Sequence, residues 1–158
     1  MSYHGPEMSR VPRIYLDACA LIRLFDEASQ ARVRAESHAV EEFFALVFRG
    51  NANWIVSEVL EAEILDNPYS DGRQEVLELL ASSTERIVLS DEAFQRASIL
   101  EQLGHGAFDA LHLACAEQAQ VDGLLTTDDR FIRRVQRGLG NSTITVENPV
   151  NWRRRFTP

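Results

Sequence analysis

The segment LLTTDDRFIRRV (124–135) runs from two leucines through two threonines into adjacent aspartates, Asp128 and Asp129, and then turns basic. Other acids stand in comparable places. Asp17 follows the β-rich run RIYL, Asp109 opens the apolar stretch AFDALHLACAEQA (107–119), and Glu58, Glu61 and Glu63 follow NWIVS (53–57). Each has an ordinary explanation. Asp17, Asp128 or Asp129 would serve as a helix N-cap, worth about 1 kcal/mol. Asp109 would favour the positive end of a helix dipole. Glu58 and Glu61, three apart, would share a solvated helix side from which Glu63 points away. Asp109 fits its ordinary role least well. It is the only charge between Glu101 and Glu117, on a helix apolar nearly all round, and a lone carboxylate in such a place needs a partner.

The chemistry lies in the coincidence. At an effective dielectric near 20, two carboxylates about 5 Å apart repel by roughly 3 kcal/mol. A cluster of three or four must protonate, splay apart or bind a cation. Hard oxygen ligands suit Mg²⁺ or Mn²⁺ with waters kept in the shell. Such an ion activates a water and stabilises charge on a phosphoryl group. Other acid-pocket chemistries are excluded. The chain has no lysine, all sixteen basic residues being arginine. A receiver domain and a haloacid-dehalogenase-type phosphatase both need one, and Asp17-Ala18-Cys19 lacks the Asp-x-Asp of the latter. There is no P-loop. The histidines, His4, His38, His105 and His112, show no zinc-ligand spacing with Cys19 or Cys115.

The elements that must position these acids follow from periodicity. Strands are expected at 13–17, 53–57, 86–90, 123–127 and 143–147. Helices are expected over 18–25, the segment around Val40, Phe43, Phe44, Val47 and Phe48, 58–65, 73–82, about 91–103, 107–119 and 129–137, with Phe43, Phe44, Val47 and Phe48 read as core. Gly50 is a stop signal, Asn67-Pro68 a break, and Ser90 or Asp91 a cap. Strands alternating with helices indicate an α/β fold, a three-layer α/β/α arrangement with a mainly parallel central sheet of about five strands. In such sheets ligands sit beyond the carboxyl ends of the strands. Asp17 and Asp128 lie at that edge.

Composition agrees with one domain. A chain of 158 residues buries roughly two-thirds of its unfolded surface. Its longest apolar run, Phe43 to Phe48, is far short of a membrane span. The first dozen residues have no apolar core of a signal peptide and read as a mobile tail, with Met8 an alternative start. Cys19 and Cys115 sit among apolar residues and read as buried free thiols, in keeping with a reducing cytoplasm. The net charge of −8 argues against nucleic acid, but its distribution does not. From Glu36 to Glu92 there are thirteen acids and three arginines; from Arg130 onward, seven arginines and one acid.

With YLDACALIRLF, VSEVLEAEIL, FDALHLACA and LLTTDDRF in this order, the chain resembles the PIN domains, the nuclease fold of VapC-type toxins, over about residues 13–148. The resemblance implies a tail at 1–12, a PIN-like nuclease domain at 13–148 and a basic C-terminal extension at 149–158. It implies that Asp17, Glu63, Asp109 and Asp128 are the catalytic, metal-holding acids. It thus selects Glu63 over Glu58 and Glu61, and Asp128 over Asp129. Thr126 would orient Asp128. Asp129 would cap the helix or support the site. His112, three residues after Asp109, reads first as a hydrogen-bonded core histidine and second as such a support. His105, between glycines, could approach substrate.

The implied activity is endoribonuclease cleavage with Mg²⁺ or Mn²⁺. The protein would be either a toxin held by an antitoxin protein or an RNA-processing enzyme, cytoplasmic, homodimeric and not membrane-bound. A catalytically silent PIN-like module for protein binding is the competing class. Arg130, Arg133, Arg134 and Arg137 fall on one helix face, suited to RNA phosphates or to a merely solvated surface. Arg153, Arg154 and Arg155 are expected to hang free.

Overall fold

The computed structural model describes residues 10–27, 29–66 and 72–156. Five parallel strands, β1 (Arg13–Leu16), β2 (Asn53–Ser57), β3 (Glu85–Ile87), β4 (Gly123–Leu125) and β5 (Val146–Glu147), form one sheet in the order β3-β2-β1-β4-β5. The helices are α1 (Ala18–Ile22), α2 (Ala31–Phe48), α3 (Glu58–Asp66), α4 (Arg73–Leu80), α5 (Asp91–Leu103), α6 (Ala107–Ala119), α7 (Asp129–Gln136) and α8 (Pro149–Arg155).

The strands are apolar on both faces, as a sheet covered on both sides requires, and successive side chains feed opposite layers. Ile14, Leu16, Trp54, Val56 and Leu125 pack with α1, α2, α3, α4 and Trp152 of α8. Tyr15, Ile55, Leu124 and Val146 pack with α5, α6 and Phe131 of α7. The result is the expected three-layer α/β/α architecture.

Local chemistry trims the expected strands. β3 ends at Ile87 because the Leu89 amide donates to Glu58 Oε1 (3.1 Å) and Ser90, not Asp91, caps α5 by accepting from the Ala93 amide (3.1 Å). β5 keeps only two residues, Ser142 Oγ taking the Ile144 amide (3.2 Å). Gly50, at φ +79°, takes the left-handed turn that stops α2. The Asn67-Pro68 break and the tail 1–9 lie outside the described residues.

Three expectations are corrected. Phe43 and Phe44 are buried, but Phe48, at the last position of α2, is 72% exposed. Cys19 is exposed, because it occupies the open side of α1; only Cys115 is buried. Residues 149–155 are a helix, not a free basic end. Asn148 caps it and Pro149 occupies its first turn. Trp152, 4% exposed, meets Phe43 edge-on at 5.6 Å and stacks on Phe156 at 4.9 Å. Arg153 pairs with Glu42 (3.4 Å) and Arg155 with Glu147. Among the described residues no helix is long and apolar enough to cross a membrane.

Candidate active site

Parallel pairing of β1 with β4 sets Leu16 opposite Leu125, so the residues that follow both strands emerge at the same sheet edge. Asp17 caps α1, its Oδ1 accepting from the Ala20 amide (3.0 Å). Asp128 caps α7, its Oδ1 accepting from the amides of Arg130 (2.9 Å) and Phe131 (3.4 Å). The cap is therefore Asp128 and not its neighbour. Asp129 instead points to Arg32, which holds both of its oxygens at 2.8 and 2.9 Å.

Thr126 joins the two capping acids. Its Oγ accepts from the Asp128 amide (3.1 Å), and its side chain pulls the Asp17 carboxyl down. Asp109 sits in the first turn of α6, and Glu63 comes from α3. Glu58 and Glu61 are committed elsewhere. Glu58 holds the Leu89 amide, and Glu61 forms a two-pronged pair with Arg86 at 2.8 and 2.6 Å. Of the three glutamates, geometry leaves Glu63 for the pocket.

His112 is fully buried, with Nε2 donating to Glu63 Oε1 (2.7 Å) and Nδ1 facing the Tyr15 hydroxyl (2.5 Å). Tyr15 Oη also meets Ser57 Oγ (2.6 Å), which accepts from the Leu60 amide (3.2 Å). Burial, with Cys115 next in weight, pushes the Tyr15 phenol well above its ordinary range, so it stays a hydroxyl. His112 is thus both a core histidine and the group that grips Glu63. The chain of hydrogen bonds reaching it through Tyr15 and Ser57 leaves no mark in the sequence, because its members are 42 and 97 positions apart. His105, by contrast, is 3% exposed and pinned by Nε2 to the Leu139 carbonyl (3.0 Å), so it does not approach the groove.

The acids feel one another. Burial raises the Asp17 carboxyl to about 7, and Glu63 adds to the rise, against the pull of His112, Thr126 and the Ala20 amide. Burial raises Asp109 to about 6, with Asp128 and then Glu63 adding, against His112 and Arg134. Cys19 opens to solvent by surface but is ringed by protein. Its thiol is pushed far above its ordinary range, first by desolvation and then by Asp17, Glu63, Asp128 and Asp109. The charges of all four acids thus reach one side chain, Cys19. A groove of about 540 Å³ has Cys19, Ile22, Arg23, Glu63, Phe108 and Thr127 in its walls, Glu63 being the one of the four acids that lines it.

As the side chains stand, no group of three or more His, Cys, Asp or Glu among the described residues is arranged to hold a metal ion. Oε1 of Glu63 is taken by His112, and one oxygen each of Asp17 and Asp128 by helix amides, which leaves the second oxygen of each outside these bonds. The donor chemistry nevertheless fits a hard divalent cation. It consists of crowded carboxylates, two with raised proton affinity, which a cation would relieve.

Beside the acids lies α7. Arg130, Arg133 and Arg137 are exposed and Arg134 partly so. None of the four guanidiniums forms an ion pair among the described residues, whereas Arg13, Arg23, Arg32, Arg86, Arg96, Arg153 and Arg155 all do.

Comparison with known proteins agrees with this arrangement. A chain from the crystal structure of VapBC2 from Rickettsia felis, bound to a DNA fragment from their promoter, superposes with a TM-score of 0.55. It shares 16% identity, and the match covers 86% of this chain and 98% of that one, a likeness of fold. No curated protein matches the chain. The family model of the PIN domain, whose members are generally nucleases dependent on divalent metals, matches residues 14–137. That span takes in Asp17, Glu63, Asp109 and Asp128 together, and the chain belongs to the PIN domain family.

Proposed function

We propose that this protein is a metal-dependent endoribonuclease that hydrolyses RNA phosphodiester bonds and serves as the toxin of a toxin–antitoxin pair. The observation that carries the reading is that Asp17 and Asp128 follow two paired parallel strands at one sheet edge, with the charges of Glu63 and Asp109 reaching the same place, beside an arginine face that forms no ion pair among the described residues. Crowded buried carboxylates are costly to a fold unless something uses them.

Asp17, Glu63, Asp109 and Asp128 are the groups that hold Mg²⁺ or Mn²⁺. The bound ion supplies positive charge that activates a water and offsets the charge growing on the phosphoryl group. Thr126 holds Asp17 and the Asp128 backbone in fixed relation. His112 fixes the rotamer of Glu63. Arg130, Arg133, Arg134 and Arg137 take the RNA backbone, since guanidinium matches phosphate in a two-pronged geometry. Arg134 already acts on the charge of Asp109. The likeness to VapBC2 supports an antitoxin protein as partner in the cytoplasm, and the family resemblance supports a homodimer.

The test compares wild type with Asp17→Asn on single-stranded and structured RNA, with Mg²⁺, Mn²⁺ or EDTA. Wild type cleaves with either metal, EDTA stops it, and Asp17→Asn is inactive. Equal cleavage by both proteins would end the proposed mechanism. Growth arrest on expression, relieved by the antitoxin, separates a toxin from an RNA-processing enzyme.

A further inference from the structure

Three distant stretches of chain meet at one guanidinium. Arg32, at the start of α2, donates from Nε to Glu36 Oε2 (3.0 Å) and from Nη1 to Asp129 Oδ2 (2.8 Å). Its Nη2 donates to Asp129 Oδ1 (2.9 Å) and to the Thr127 carbonyl (3.1 Å). Every nitrogen of the fork is engaged, and the two residues it grips on the β4–α7 turn flank Asp128.

Glu36 stands behind the fork. It is 1% exposed, although it lies on a helix where sequence pattern would leave an acid in solvent. A buried carboxylate needs compensating donors, and Glu36 has them from separate elements. Besides Arg32 it receives Arg23 Nε (2.8 Å) from the end of α1 and Asn148 Nδ2 (2.6 Å) from the cap of α8. Burial pushes its carboxyl up, but Asn148, Arg23 and Arg32 outweigh that and hold it below the usual range. Glu36 is therefore a fixed anion with one side of Arg32 tied to it.

We propose that Arg32, oriented by Glu36, is a positioning residue for Asp128. It takes both oxygens of Asp129 and so decides which of the two adjacent aspartates is left to face the cluster. It also braces the Thr127 carbonyl, while the β5 side holds the same turn through the Thr126 amide on the Glu147 carbonyl (3.0 Å). Lysine cannot replace it, being a point charge that cannot span Glu36, Asp129 and Thr127 together. The role rests on Asp128 belonging to the nuclease site.

The experiment uses full-length wild type, Arg32→Lys, Asp129→Ala and the double variant. Hydrogen exchange is read at the Arg130 and Phe131 amides, which Asp128 caps, in metal-free protein. Mn²⁺ titration and RNA cleavage are read alongside. In Arg32→Lys those amides exchange faster by on the order of tenfold, while the urea midpoint of global unfolding stays at the wild-type value. Mn²⁺ affinity and kcat fall by roughly 10–100-fold. Asp129→Ala reproduces the change, and the double variant adds nothing to either single one. Wild-type exchange at both amides in Arg32→Lys, or additive effects in the double variant, would overturn the assignment. Loosened amides in a protein whose wild type neither binds Mn²⁺ nor cleaves RNA would uphold the positioning and sink the nuclease reading instead.

Discussion

Asp17→Asn removes the most deeply buried charge of the pocket while leaving its shape in place. Asparagine is as good an N-cap as aspartate, so the Ala20 amide keeps an acceptor. The wild-type carboxyl is raised from 3.8 to about 7, a shift of about 3 units, or about 4 kcal/mol at about 1.4 kcal/mol per unit. The sign follows from which state holds the proton. Between pH 4 and 7 the unfolded chain has released it and the folded protein has not, so stability falls as pH rises through that window. Above pH 7 the full penalty stands, and Asn escapes it. Metal-free Asp17→Asn is therefore more stable than wild type at pH 8, by up to about 4 kcal/mol. At roughly 2–4 °C per kcal/mol for a chain of this size, that is a Tm gain of up to about 8–16 °C. The gap narrows steadily toward pH 4. Mn²⁺ at a hundredfold excess over its Kd narrows it from the other side, raising wild type by about 2.7 kcal/mol and leaving the variant unmoved. Thermal melts in EDTA and in Mn²⁺ at several pH values read all of this. Equal melting of the two proteins at pH 8 in EDTA, or a variant that gains as much from Mn²⁺ as wild type, would refute the account of a crowded anionic pocket.

Three further outcomes follow from the same structure. Replacing Arg130 or Arg133 by Gln raises KM more than it lowers kcat. It also flattens the dependence of log affinity on log salt by about 0.7 for each phosphate of single-stranded RNA that loses its guanidinium, measured by binding to an inactive Asp17→Asn background. Tyr15→Phe deprives His112 Nδ1 and Ser57 Oγ of their shared partner and lowers stability by about 1–3 kcal/mol in urea unfolding. Trp152→Ala empties a buried site against Phe43 and Phe156 and costs about 3–5 kcal/mol by the same measurement.

The architecture is largely legible in the sequence because its signals are local. NWIVS is bounded by polar residues and forms β2 at Asn53–Ser57, and the apolar run after Gly106 forms α6 at Ala107–Ala119. What escapes depends on partners far along the chain. Glu36 carries no mark of burial in its own neighbourhood; its donors include Asn148, 112 positions away. The C-terminal helix is seven residues long, too short to hold by propensity. It is kept by an Asn-Pro start and one tryptophan whose slot only the folded α2 provides. Cys19 and Phe48 depart from expectation for the converse reason. Apolar neighbours in sequence say nothing of which side of a helix faces the core and which faces solvent.

Sequence reasoning sets helix capping against ligand duty at Asp17 and Asp128, as though one excluded the other. The structure dissolves that choice, because a carboxylate has two oxygens and the cap uses one. In both residues Oδ1 accepts from helix amides, which fixes the side-chain rotamer and leaves Oδ2 outside the cap. The amide also acts on the charge: the Ala20 N–H pulls the Asp17 carboxyl down against the larger lift from burial, favouring the ionised form that a cation needs. Under the proposed function, capping therefore prepares the ligand. Asp129, one residue further on, has no such arrangement, since both its oxygens are spent on Arg32. The difference between two adjacent aspartates is thus set by a residue 97 positions away. It follows that releasing Asp129 from Arg32 should alter the chemistry at Asp128 without touching Asp128 itself.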